Sequence, residues 1–147
     1  MGHALRLLLA GMLASLALHA SASDQGVALV KSVAGEVVIS RDSASRAATQ
    51  GAHLDVSDRI VAADGATVAI AFRDGTLLTL GSGADILVRD YVFEPKDGNY
   101  AFSLYMARGA AIYESGKIGK LAPDAVRVET PKATVGVRGT RFLIEAD

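Results

Sequence analysis

Arg138 lies in the run Thr130-Pro131-Lys132-Ala133-Thr134-Val135-Gly136-Val137-Arg138-Gly139-Thr140, with one glycine two residues before it and another directly after. A guanidinium presents five N–H donors in a rigid planar fork, which suits a carboxylate or several carbonyl oxygens. Pro131 fixes its own φ and holds Thr130 extended. Gly136 would admit a second backbone at close range or a bulge, and Gly139 would allow a sharp corner. Two uses of this run follow. Arg138 is either a partly buried clasp, paired with an acid such as Asp58 or Asp74 and pinning the last strand to the body, or a recognition residue on a contact surface. Thr130, Pro131, Ala133, Gly136, Arg138, Gly139 and Thr140 are therefore the candidate structural or contact motif.

The other residue types that do chemistry are sparse. The chain has no Cys, so thiolate nucleophiles and Cys-based metal sites are excluded. His3 and His19 fall in the N-terminal leader described below, which leaves His53 alone in a polar segment. No G-x-S-x-G elbow accompanies it, and no D-x-D-x-D-G loop offers a calcium site. Carboxylate pairs such as Asp55/Asp58 and Asp64/Asp74 could in principle serve a glycosidase. However, Asp58, Asp64, Asp74 and Asp85 fall at strand ends, where an Asp side chain caps a turn. Gly136 to Gly139 matches a G-x-x-G phosphate-clamping loop, but that loop joins two helices in a basic surface, and this chain carries a net charge of −1. The expectation is no catalytic residue, no cofactor, no metal and no nucleic-acid partner.

The elements that would position these residues are β-strands. Val68, Ile70 and Phe72 alternate with Ala69 and Ala71, Asp74-Gly75 makes a turn, and Leu78 and Leu80 resume the alternation. Gly81-Ser82-Gly83 breaks the chain before Ile86 and Val88. Lys96-Asp97-Gly98-Asn99 reads as a hairpin turn, after which Tyr100, Phe102 and Leu104 share a face, and Gly109 marks a bulge or bend. Residues 41–58 read as a loop turning at Gly51, with at most one helical turn in Ser43–Thr49, and residues 117–124 as a second loop. Strands recurring every 8–12 residues, with Gly/Asp turns between them, predict an all-β fold, either a small β-solenoid or a twisted two-sheet sandwich.

Residues 1–22 are set apart from this pattern. Arg6 supplies a positive n-region, Leu7 to Leu18 is an apolar run of 12 residues, and Ala20-Ser21-Ala22 is a small-x-small cleavage signal. The run is shorter than the roughly 20 apolar residues a span needs. It reads as a cleaved signal peptide, which predicts a single domain over residues 23–147, a periplasmic or secreted location, and no membrane span in the mature chain.

The signature Thr130-Pro131-x-Ala133-x-x-Gly136-Val137-Arg138-Gly139-Thr140, with Phe142 just after it, resembles the FecR domain family. The segments Gly35–Arg41, Leu54–Val88 and Leu104–Tyr113 support it, and the resemblance spans nearly all of residues 27–144. It implies an all-β periplasmic domain without enzymatic activity. In the family's best-known members this domain is the outer half of a membrane-spanning anti-sigma regulator that receives a signal from an outer-membrane iron-siderophore transporter. This sequence instead opens on a cleavable signal and ends within a strand of the signature. What carries over is a fold and a habit of binding an envelope protein. The reading is a non-catalytic periplasmic protein-binding or scaffolding domain in envelope sensing or signalling, its sheet edges receiving a strand or a flat protein surface, with oligomeric state open. The alternative is a carbohydrate or cell-wall module with Tyr91, Tyr100, Tyr105 and Tyr113 lining a groove.

Overall fold

The computed structural model describes residues 26–147; the signal peptide expected at residues 1–22 lies outside the described residues. The fold is all-β, as expected. Twelve strands form one curled sheet: β1 (Ala28–Ala34), β2 (Val37–Arg41), β3 (Ala44–Ala47), β4 (His53–Leu54), β5 (Arg59–Ala62), β6 (Thr67–Phe72), β7 (Leu77–Leu80), β8 (Asp85–Glu94), β9 (Asn99–Glu114), β10 (Val126–Glu129), β11 (Thr134–Gly136) and β12 (Arg141–Ala146). The main order is β3-β2-β5-β8-β9-β7-β6-β1-β4, with β10, β11 and β12 off this path. Along it the neighbours are antiparallel, which is the pairing of hairpins rather than of stacked solenoid rungs.

Alternation decides which side chains enter the core. Val68, Ile70 and Phe72 of β6 are buried, and Leu78 and Leu80 of β7 face them in register, with Ile70 opposite Leu78 and Val68 opposite Leu80. Phe102, Leu104 and Met106 of β9 are buried on the same alternation. An aromatic chain runs through this core. Phe72 packs edge-on to Phe102 at 4.8 Å, Phe102 edge-on to Tyr113 at 5.7 Å, and Tyr113 stacks on Phe142 of β12 at 4.8 Å. Such contacts add to what burial of the rings already contributes. Burial also pushes the Tyr91 and Tyr113 hydroxyls above the ordinary tyrosine range, with the Asp74 carboxylate adding to the effect.

β9 organises the whole. Its first half pairs with β8, and its second half pairs with β7. Its other side receives β10 in parallel along Phe102–Tyr105 and β12 in antiparallel along Gly109–Glu114. A parallel neighbour requires the chain to travel back along the strand before pairing. This is the reason for a correction to the elements expected in the second half of the chain. Residues 117–124, expected as a loop, contain the helix α1 (Lys117–Leu121) followed by a 3-10 turn, Pro123–Ala125. In the first half, the segment read as a loop with at most a helical turn contains β3 and β4. β3 is an edge strand whose four side chains are all exposed, held by its ladder to β2.

The three Asp-Gly turns divide. Asp74-Gly75 and Asp97-Gly98 close the β6–β7 and β8–β9 hairpins, whereas Asp64-Gly65 passes the chain from β5 in one half of the sheet to β6 in the other. Gly65, Gly75 and Gly98 all hold positive φ.

Candidate partner-binding edge

The Thr130–Thr140 motif forms one continuous structure on the far side of β9. Thr130 builds the β10–β11 turn. Its hydroxyl accepts from the Lys132 and Ala133 backbone N–H groups at 3.3 and 3.1 Å, and its own N–H donates to the Ala133 carbonyl at 2.7 Å. Pro131 sits at the tip of this turn, where its missing N–H is not required by a ladder. Val137 is the motif's buried anchor, whereas Ala133, Gly136, Arg138, Gly139 and Thr140 are exposed.

Gly136 departs from expectation. It lies in register opposite Arg127, and a Cβ there would meet nothing within 4 Å, so it marks neither a bulge nor a close approach. Gly139 is the corner that the sequence predicts, with φ +139°. Its carbonyl and that of Thr140 accept the Ser115 hydroxyl and backbone N–H at 2.5 and 2.8 Å. Ser115 thus ties the corner to the end of β9. Gly139→Val is expected to cost about 1–2 kcal/mol through backbone strain alone, because the space around it is open; equilibrium denaturation of the variant checks it.

Arg138 is not the buried clasp. Its side chain is 79% exposed and donates to Asp124, itself 86% exposed, at 2.9 Å. The acids expected as its partners are engaged elsewhere. Asp58 is fully buried, accepts the Asp55 N–H at 2.8 Å and lies 2.8 Å from Arg41 Nε, an ion pair rather than an aligned hydrogen bond. Asp74 is held by neutral donors from three elements: Thr76, Tyr91 and the Ile118 N–H. Asp85 binds Arg59 through both carboxylate oxygens, and this contact raises the Arg59 pKa. Exposed ion pairs contribute roughly 0–1 kcal/mol. Arg138→Ala is therefore expected to leave the thermal midpoint within about 4 °C of wild type, and scanning calorimetry decides it.

With Arg138 at the surface, the working feature of this region is a strand edge. Among the described residues, β12 pairs only with β9, and β11 only with β10. Between β11 and β12 lies an open groove of about 450 Å³, lined among others by Val135, Val137, Arg138, Arg141 and Leu143. Val135 and Leu143 are exposed large apolar residues, Leu143 at 61%.

The direction of the β12 backbone follows from two hydrogen bonds. The Ser115 N–H reaches the Thr140 carbonyl, and the Gly81 N–H reaches the Ala110 carbonyl. Alternation then turns the backbone groups of Phe142 and Ile144 toward β9, and those of Arg141, Leu143 and Glu145 outward to the free edge. Phe142 and Ile144 share the core-facing side of β12, and Leu143 is not in the candidate motif read from the sequence. Its signal is available: an apolar residue between Arg141 and Glu145, on the parity opposite to the core-facing residues.

The tyrosines do not line one groove. Tyr91 and Tyr113 are core residues. Tyr100 packs near Phe93, and Tyr105 lies under Arg89 at 4.6 Å, on the opposite face of β9 from Tyr100. Among the described residues, no group of three His, Cys, Asp or Glu side chains could hold a metal ion, and no helix is long and apolar enough to cross a membrane.

The family model for the FecR protein matches residues 58–147, more than half of the chain. The chain belongs to the FecR family. The match begins at Asp58, the buried acid before β5, and runs through β12, so it includes the whole of the edge described above. The FecR family acts in envelope signalling, through sigma-factor regulation, and is not known for catalysis. No curated protein and no solved structure matches the chain.

Proposed function

We propose that this FecR-family chain is a non-catalytic periplasmic protein-binding or scaffolding domain in envelope signalling, exported after removal of residues 1–22. The carrying observation is the free edge of β12, which offers outward backbone N–H and C=O groups beside an apolar groove. An edge of this kind takes up an added strand: main-chain hydrogen bonds supply affinity, and alternate side chains supply selectivity. Lys, Pro and bulges commonly guard such edges. β12 has no Lys and no Pro, and its register against β9 is unbroken. The carbohydrate reading loses its support, because two of its four tyrosines are in the core and the other two lie on opposite faces.

The test is in-cell photo-crosslinking. A photoreactive residue at Leu143 should yield discrete protein adducts, while one at Asp97, exposed in the β8–β9 turn, should yield none of them. No adduct from Leu143, or the same adducts from both positions, would count against the reading.

A further inference from the structure

The order of side chains along β12 is Arg141-Phe142-Leu143-Ile144-Glu145. It reads as its own antiparallel complement about Leu143. We infer that the β12 edge pairs with β12 of a second copy of this chain, giving a two-fold dimer through a continuous sheet. This rests on the reading of β12 as a docking edge and names its occupant.

Placed antiparallel with Leu143 opposite Leu143, the two strands bring Arg141 opposite Glu145 twice, once at each end, and Phe142 opposite Ile144. All of these are favourable cross-strand pairs. The residues brought opposite one another on the outer face, 141, 143 and 145, are those whose backbone groups turn to the free edge. They would therefore form the closely spaced pairs that exchange both hydrogen bonds, about six across the interface. The register is specific. Sliding one strand by two residues keeps the hydrogen bonding but sets Leu143 against Glu145 or against Arg141, losing the apolar pair. An isologous contact of this kind closes on itself and stops at two copies.

The side chains are free to take these roles. Arg141 is 65% exposed, and its existing ion pair with Glu114 is long, at 3.6 Å. Glu145 is exposed, and Leu143 is 61% exposed. The groove between β11 and β12 provides the space in which the incoming strand would lie.

Charge reversal tests this directly, because the contact is reciprocal. Arg141→Glu places a carboxylate opposite a carboxylate at both ends, and Glu145→Arg places a guanidinium opposite a guanidinium. Sedimentation equilibrium on the purified protein, as the cell delivers it, should show a wild-type dimer. Each single variant should associate about tenfold or more weakly. Mixing the two variants should restore a dimer. The carboxylate introduced at position 141 of one chain then faces the guanidinium introduced at position 145 of the other, and at the opposite end the native Glu145 faces the native Arg141. The double variant should associate like wild type. Restoration on mixing also answers misfolding, since unfolded chains could not rescue one another. Single variants that associate as wild type does, or a mixture that stays monomeric, would overturn the inference. A wild-type chain that stays monomeric while Leu143 still crosslinks to a different envelope protein would overturn self-pairing and leave the docking-edge reading standing.

Discussion

Replacing Asp74 by alanine is expected to destabilise the domain by about 3–5 kcal/mol. Asp74 is 2% exposed, and four hydrogen bonds reach its two oxygens. The Thr76 N–H and the Tyr91 hydroxyl bond Oδ1 at 3.2 and 3.0 Å, and the Thr76 hydroxyl and the Ile118 N–H bond Oδ2 at 2.7 and 3.0 Å. Its backbone is engaged as well, since its N–H donates to the Tyr91 oxygen at 2.9 Å and its carbonyl accepts the Lys117 N–H at 2.8 Å. One side chain thus joins the β6–β7 turn, β8 and the start of α1. Removing it strands several buried donors, each costing about 1–3 kcal/mol if left unpaired. That is a large share of a total stability of about 5–15 kcal/mol. Asp74→Asn keeps the volume but aims an amide at groups that are themselves donors, so it should also destabilise. Urea denaturation checks both, and a loss below about 1 kcal/mol for Asp74→Ala would show that the donors find other partners.

Gly109→Ala is expected to be of similar size, about 3 kcal/mol or more. Gly109 holds φ +91° within β9, and a Cβ there would stand 2.4 Å from Ala84 Cα and 2.7 Å from Ala84 N. Those atoms are backbone, and Ala84 is fully buried, so neither can swing aside as a flexible side chain would. The substitution must displace either β9 or the turn before β8, and it adds left-handed strain to the overpacking. Gly139 is the comparison: it also holds positive φ, yet its surroundings are open, so the predicted loss there is smaller. One denaturation series on the two variants checks this order, and a Gly109→Ala loss no larger than that of Gly139→Val would contradict it.

Gly109 also shows how far the sequence can be read. A glycine interrupting an alternating run announces a special backbone position, and the structure has one there. Which neighbour demands it is not legible, because Ala84 lies far away along the chain and meets Gly109 through the register of the β8–β9 ladder, which pairs Asp85 with Arg108. The β6–β7 hairpin is legible for the opposite reason: its alternation and its Asp-Gly turn are local, and the same residues that announce the strands fill the core. α1 escapes the sequence reading because five residues carry too little periodicity to announce a helix, and a bond to a distant acid, Asp74, holds its first turn. β3 escapes it because all of its side chains face solvent, so no burial pattern marks it.

Of the two sequence readings of Arg138, the buried clasp fails for a related reason. The flanking glycines correctly signal an unusual path, but the path carries the guanidinium out beyond the edge rather than in toward Asp58 or Asp74. The residue the core takes from that run is its neighbour Val137. At the edge itself, the sequence holds the information in the parity of Leu143 against Phe142 and Ile144. It becomes meaningful only because, among the described residues, no strand pairs with the outer side of β12.

The most direct test of the docking edge is amide hydrogen exchange along β12, residue by residue, in dilute protein and again with its partner bound. The isolated chain should show alternation, with the Phe142 and Ile144 amides slow because they bond to β9, and the Arg141, Leu143 and Glu145 amides fast because they face solvent. On docking, all five should become slow. If Arg141, Leu143 and Glu145 are already protected in dilute monomer, or remain fast in the complex, then β12 is not the edge through which this protein binds.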